Sequence, residues 1–360
     1  MAEEDCNETG RSMTTSPFDH PFLSGLLGDA EIAGYFSADA DVRAMLSFEA
    51  ALARAEAVHG IIPAEAARKI HETCAIFTPD IASLKTATAK DGVVIPDLVR
   101  QLKKAIGGEA AEHVHFGATS QDVIDTSLML RLKSATFLFG GRLHALVSGM
   151  VALERQFGTN RLMGHTRMQA AIPITAADRI AAWRIPLETY RDRLTEQVFP
   201  VQFGGAAGTL EKLGAEAAAV RSSLAQELGL TDEPQWQSRR TRIADLANLY
   251  SLISGSLGKF GQDIALLAEA GGEIELAGGG ASSAMAHKQN PVAAETLVAL
   301  ARFNATQLSA IHHSLVHEQE RSGAAWTLEW LVLPQMVMAT GASLRLATEL
   351  VGNIKRLGTS

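Results

Sequence analysis

Nine apolar residues, Leu128, Leu132, Ala135, Phe139, Leu143, Leu146, Met150, Leu153 and Phe157, advance along the chain by threes and fours. Their mean step is about 3.6, the period at which one face of a single long α-helix is buried. A second series, Ile243, Leu246, Tyr250, Ile253, Leu257, Phe260, Ile264 and Leu267, alternates steps of three and four without a break. That is a heptad seam, the pattern of a long bundle helix. Leu297, Leu300, Leu308, Ile311 and Leu315 mark a third long helix, and segments 174–198 and 328–356 supply two more. At ~1.5 Å per residue these are rods of roughly 35–50 Å, which must bury their stripes against one another. Gly255, Gly258 and Gly261 would let a neighbouring helix approach closely. Gly140-Gly141 marks a kink or a close contact. No strand-like alternation of any length interrupts this pattern, so the expected fold is all-α.

Ahead of the long helices lies a region of shorter ones. A periodic segment from Ala38 to His59 buries Val42, Met45, Leu46, Leu52 and Val58, with Glu49 and Arg54 expected outside. Segments 64–76, 80–90 and 96–106 follow, and Gly107-Gly108 closes the region. The expected organisation is a disordered leader over 1–20, a small helical domain over 21–110, and a long-helix bundle over 111–360. Hydrophobic residues make up 47% of the chain and aromatics 6%, which suits helices packed along their length. A net charge of −8, with no basic run, argues against nucleic acid as a partner. No continuous apolar run approaches the ~20 residues that span a bilayer, and the N-terminus lacks a signal-peptide core. Cys6 and Cys74 form neither a disulfide framework nor a metal-ligand spacing. A cytoplasmic protein with free thiols is expected.

Polar clusters interrupt the apolar pattern near helix ends. His115-Phe116-Gly117-Ala118-Thr119-Ser120-Gln121-Asp122 leads into the Leu128 helix, where Thr119 or Ser120 can cap and the first N–H groups form an anion site. Gly164-His165-Thr166-Arg167-Met168-Gln169 precedes the 174–198 helix. Were it extended, His165 and Arg167 would share a face; on a helix they would not. Gln202-Phe203-Gly204-Gly205-Ala206-Ala207-Gly208-Thr209 reads either as a pocket-lining turn or as a plain connection. Arg321, in His317-Glu318-Gln319-Glu320-Arg321-Ser322, can bind an anion. The stretch Gly278–Pro291 is Gly-, Ala- and Ser-rich, then gathers Ser282, Ser283, His287, Lys288 and Asn290 just before a helix opened by Pro291. It suits a lid over an anionic substrate. Adjacent His312-His313, with His317, do not make a metal set.

These motifs resemble the fumarase/aspartase superfamily. Ser282, Ser283, Met285, Lys288, Asn290 and Pro291 match its signature G-S-S-x-M-P-x-K-x-N-P, with Ala281 for Gly and Ala286 for Pro. The resemblance implies a loop base at Ser282 and a carboxylate held by Lys288 and Asn290. His115, Thr119 and Ser120 match H-x-G-x-T-S-x-D, whose Thr-Ser pair binds a second carboxylate. The usual G-R-T-H-x-Q has its Arg and His exchanged, with His165 and Arg167 in each other's places and Gln169 retained. An Arg cannot act as a general base near neutral pH, but it can hold a carboxylate.

His-Phe-Gly-Ala-Thr-Ser-Gln-Asp, Val201–Ala206, Gly255–Gly261 and His317–Ser322 together resemble the bacterial 3-carboxy-cis,cis-muconate cycloisomerases, which lack that His. The resemblance implies lactonisation of a tricarboxylate, 3-carboxy-cis,cis-muconate or a substituted muconate, with no cofactor and no metal. It places Ser282, Lys288 and His165 in catalysis. It places His115, Thr119, Ser120, Arg167, Gln169, Ser283, Asn290 and Arg321 in substrate binding. It further implies a homotetramer with sites shared between subunits, no membrane partner, and a chain without the superfamily's third, C-terminal domain. The alternatives are a fumarate-releasing lyase of adenylosuccinate or argininosuccinate type, or a catalytically silent scaffold.

Overall fold

The computed structural model describes residues 16–281 and 289–360. Six helices come first: α1 (Ser24–Leu27), α2 (Ala30–Tyr35), α3 (Ala38–Val58), α4 (Ala64–Ile76), α5 (Ile81–Asp91) and α6 (Ile95–Ile106). The long α7 (Ser120–Phe157) is followed by a hairpin, β1 (Arg161–Thr166) and β2 (Gln169–Thr175). Then come α8 (Ala176–Thr195), α9 (Ala217–Leu228) and α10 (Thr241–Ala270). Short strands β3 (Ile274–Leu276), β4 (Gly280–Ala281) and β5 (Gln289–Asn290) precede α11 (Val292–His313), α12 (Gly323–Asn353) and β6 (Ile354–Leu357). The fold is helical, with three two-stranded antiparallel sheets at its margins.

The sequence stripe becomes the core. Leu132, Phe139, Leu143 and Met150 of α7 are fully buried, as are Ile253, Leu257 and Ile264 of α10. Polar contacts pin the rods in register. Thr136 and Tyr250 share a 2.7 Å hydrogen bond between α7 and α10, and Asn304 of α11 donates to Ser254 and Thr340, each at 3.0 Å. A Cβ on Gly261 would stand 2.5 Å from the Ala294 carbonyl, and one on Gly258 would collide with Ala301. These two glycines let α10 and α11 meet backbone to backbone. Gly255, Gly140 and Gly141 face open space, so no close contact explains them, and α7 runs unbroken through the Gly-Gly pair.

A second apolar cluster gathers α3, α4 and α6 with Val123 and Ile124 of α7, Val201, Phe203 and α9. Glu49, expected outside, is 1% exposed within this cluster, because its carboxylate faces His115 rather than water. Packed chain also begins inside the expected leader: Phe18 is buried, edge-on to Phe303 at 5.7 Å. The leader's first fifteen residues lie outside the described residues. By length and composition α7 could cross a membrane. Here its stripe is buried against α8, α10 and α12, and its first turns carry the buried Asp122 and Asp125.

The β1–β2 hairpin was not anticipated. Its two-residue turn puts Arg167 at φ +48° and Met168 at φ +65°. Such turns usually take Asn-Gly, so the flanking sequence carries no hairpin signal.

Candidate active site at two ends of the bundle

The first cluster forms around the N-terminus of α7. Asp122, buried and in the first turn, accepts hydrogen bonds from Thr119 N (3.0 Å), Gln202 Nε2 (3.0 Å), Gly204 N (2.9 Å) and Gly205 N (2.9 Å). One carboxylate thus ties the 202–205 turn to the helix end. Burial outweighs those donors, which lower its pKa, and leaves the Asp122 carboxyl raised to about 6. The turn packs tightly enough that Gly205, at φ +68°, would put a Cβ 3.0 Å from the Gly117 carbonyl. The segment 202–209, ambiguous in sequence, therefore borders the cluster.

Four of the expected site residues meet here. Arg321 donates through Nη2 to Thr119 Oγ1 (3.3 Å) and to the Ala206 carbonyl (3.4 Å), and through Nε to Gln121 Oε1 (2.9 Å). Ser120 is the half-buried first residue of α7. His115, held at φ +63°, lies four residues before Thr119, with its Nδ1 2.7 Å from Glu49 Oε1. Burial alone would lower the imidazole pKa, but contact with the Glu49 carboxylate raises it above the ordinary histidine value. Glu49 is a residue that sequence reasoning missed; its partner stands 66 positions away.

The second cluster forms at the hairpin. His165 and Arg167 both line a 570 Å³ cavity with Arg179 of α8 and with Lys259, Asp263 and Glu269 of α10. His165 lies in the extended β1 and Arg167 in the turn that follows, and both line the cavity. His165 Nδ1 lies 3.1 Å from the Met163 carbonyl. Gln169, on the far side of the turn, is exposed and donates to the Met168 carbonyl at 3.1 Å. Asp263 accepts from Trp183 Nε1 at 2.7 Å and pairs with Lys259. Arg179 and Lys259 are cationic groups that no sequence motif announced.

Asn290 sits in β5, two residues ahead of α11. The start of α11 packs beside Gly261 of α10, towards the hairpin end of the bundle. Ser282, Ser283 and Lys288 lie outside the described residues.

The two clusters are far apart in one chain. Thirty-eight residues of α7 separate Ser120 from Phe157, a span of about 57 Å. Along α10, Arg240, beside the first cluster, lies 19–30 residues from the positions lining the cavity, roughly 30–45 Å. One chain does not bring Arg321 and Arg167 together.

A family model described as Lyase matches residues 29–303. The chain belongs to this lyase family. It is 37% identical over 339 residues to the 3-carboxy-cis,cis-muconate cycloisomerase of Bradyrhizobium diazoefficiens, covering 90% of this chain and 74% of that one. The crystal structure of 3-carboxy-cis,cis-muconate lactonizing enzyme from Pseudomonas putida superposes with a TM-score of 0.86 at 35% identity, covering 93% of this chain and 77% of that chain. A fumarate lyase from Mesorhizobium superposes with a TM-score of 0.85 at 31% identity, covering 92% and 76%. The Arg/His exchange at 165 and 167 is carried on a hairpin that exposes both residues.

Proposed function

We propose that this lyase-family chain is a 3-carboxy-cis,cis-muconate cycloisomerase, acting on that tricarboxylate or a substituted muconate in the cytoplasm. The observation that carries the reading is the split between two cation-bearing clusters at opposite ends of one bundle, in a chain 37% identical to a cycloisomerase. A substrate with three carboxylates suits a site assembled from both clusters. Assembly requires a second copy to present its hairpin end to the first copy's α7 N-terminus. Exposed Phe137, Ile172 and Ile185 on α7, β2 and α8 supply apolar surface for such association, in a homotetramer with shared sites.

In this reading Thr119, Ser120 and Arg321 hold one carboxylate at the N-terminus of α7. Arg167, always charged, and Gln169 face another from the hairpin, and Asn290, Ser283 and Lys288 a third. A carboxylate oxygen of the substrate attacks an alkene carbon. The π pair moves to the carbon alpha to another carboxylate, and a proton closes the step there. The charge developing on that carboxylate is met by fixed cations, the arrangement that stabilises such an intermediate best. His115, its pKa raised by contact with Glu49, is one candidate proton donor, and Lys288, Ser282 and His165 are the others within the proposed site. No step calls for a cofactor.

The test is ultraviolet absorbance of 3-carboxy-cis,cis-muconate with the parent protein and with Lys288→Ala. Loss of the diene band with the parent alone supports the reading. Release of fumarate from adenylosuccinate or argininosuccinate, with the muconate untouched, overturns it.

A further inference from the structure

Gln121, the second residue of α7, is fully buried. Its side-chain oxygen accepts from Arg321 Nε at 2.9 Å. Its side-chain nitrogen donates to Asp125 Oδ2 at 3.1 Å and to the Gln237 carbonyl at 2.8 Å. Only one orientation of the amide works. Reversed, it would set an NH₂ group against a guanidinium donor and an oxygen against a carboxylate.

Asp125 is locked in turn. Arg240 donates to it at 2.6 and 3.1 Å, and Trp326 Nε1 at 3.0 Å. Arg240 Nε also reaches Glu329 Oε1 at 2.9 Å, and none of the three charged side chains is more than 1% exposed. One cation is shared by two buried carboxylates, and burial raises the Glu329 carboxyl above its ordinary value despite Arg240. His317 stands 3.9 Å from Glu329, its own pKa held below the ordinary value by burial and the nearby Arg240. Arg321 approaches this group through the Gln121 amide. An exposed arginine in a loop would otherwise spend its rotamer freedom among many positions.

We propose that Gln121 is a positioning residue, carrying the rigidity of the buried Arg240–Asp125–Glu329 group to Arg321 and aiming that guanidinium at the mouth of the Thr119 cluster. The proposal rests on Arg321 acting as a carboxylate ligand, as in the activity proposed above. Gln121→Met keeps the side chain's length and removes its hydrogen bonds. Gln121→Glu keeps an acceptor for Arg321 Nε, protonated or ionised, but lacks the amide's two N–H donors to Asp125 and the Gln237 carbonyl, so it separates the Arg321 contact from the other two.

The experiment measures KM and kcat for 3-carboxy-cis,cis-muconate in the parent, Gln121→Met, Arg321→Gln and the double variant, with a pH profile for Gln121→Glu. Crystal structures of both Gln121 variants accompany it. Gln121→Met should raise KM about tenfold with kcat little changed, and add nothing once Arg321 is gone. Gln121→Glu, which still accepts from Arg321, should stay nearer the parent KM than Gln121→Met across the pH profile. The crystal structure should show the Arg321 guanidinium displaced from Thr119 in Gln121→Met. Equal effects of Gln121→Met with and without Arg321, or an undisturbed Arg321 in that crystal structure, would overturn the proposal. Should Gln121→Met fail to fold, Gln121→Leu takes its place, and the same outcomes decide the proposal. A parent that leaves the muconate untouched defeats the activity reading instead, and the position of Arg321 in the variant crystals then decides the positioning role alone.

Discussion

The Nδ1 atom of His115 stands 2.7 Å from Oε1 of Glu49, a carboxylate with almost no contact with solvent. The ionised carboxylate can only accept, so the imidazole donates through Nδ1 and its other nitrogen is left for a partner. This dyad joins the short-helix cluster to the N-terminus of α7. His115 can thereby arrive at an anion-binding helix end already carrying its proton.

Glu49→Gln therefore tests whether His115 titrates in turnover. A His115 pKa raised by Glu49 keeps the donor form populated to higher pH, and activity falls as pH rises through that pKa. Without the carboxylate, the falling limb of kcat/KM should move to lower pH. The measurement is the pH–rate profile of the two proteins side by side. A limb that stays in place removes His115 from the proton-transfer role.

Glu56 lies in the same helix, fully buried, with neither carboxylate oxygen bonded among the described residues. Burial first, and the Glu49 carboxylate second, push it from 4.5 up to about 9. Between those values the unfolded chain releases a proton that the folded chain keeps, so stability drains away as pH rises from 4.5 and levels off above 9. Glu56→Gln should remove that slope. We expect it to match the parent near pH 4 and to be more stable by roughly 1–3 kcal/mol at pH 7 in denaturant titrations. A constant difference at all pH values would contradict this.

Gly255 and Gly261 share one helix and should answer oppositely to alanine. Nothing meets a Cβ at Gly255, so Gly255→Ala gains helix propensity, up to ~1 kcal/mol. At Gly261 the added methyl stands 2.5 Å from the Ala294 carbonyl and must drive α10 from α11. Gly261→Ala should cost about 1–3 kcal/mol. Thermal melts of the pair decide it, and equal shifts would mean that the helix contact is looser than described.

The rods were readable because one buried face repeats for ten turns: Leu132, Phe139, Leu143 and Met150 end up where their spacing places them. The hairpin was not readable, because β2 is largely exposed and so has no buried face to impose alternation, and Arg167-Met168 takes a turn that glycine and asparagine usually announce. Of the loop and helix-end residues read from the sequence, Thr119 and Arg321 do meet, at 3.3 Å, and the chemical roles given them belong to the proposed function. The motifs could not show Glu49, whose surface-like place on α3 is overridden by a partner 66 residues on. Nor could they show Arg179 and Lys259, which reach the hairpin cavity only through the packing of α8 on α10.

The separation of the two clusters yields the sharpest prediction for the assembled protein. Arg321 belongs to the end of the bundle where α10 begins, and Arg167 to the end where it finishes, roughly 30–45 Å away. A site that uses both must take them from different copies. Arg321→Gln and Arg167→Gln should each abolish most turnover alone. Unfolded together and refolded as a mixture, the two variants form mixed assemblies in which some sites draw both arginines from intact positions. With random mixing of equal amounts, about one site in four is intact, and activity should return to about a quarter of the parent's. Mixing without refolding should return much less, because the subunits do not exchange. If the refolded mixture stays as inactive as its components, the two arginines do not serve one shared site, and the composite arrangement proposed for this chain is wrong.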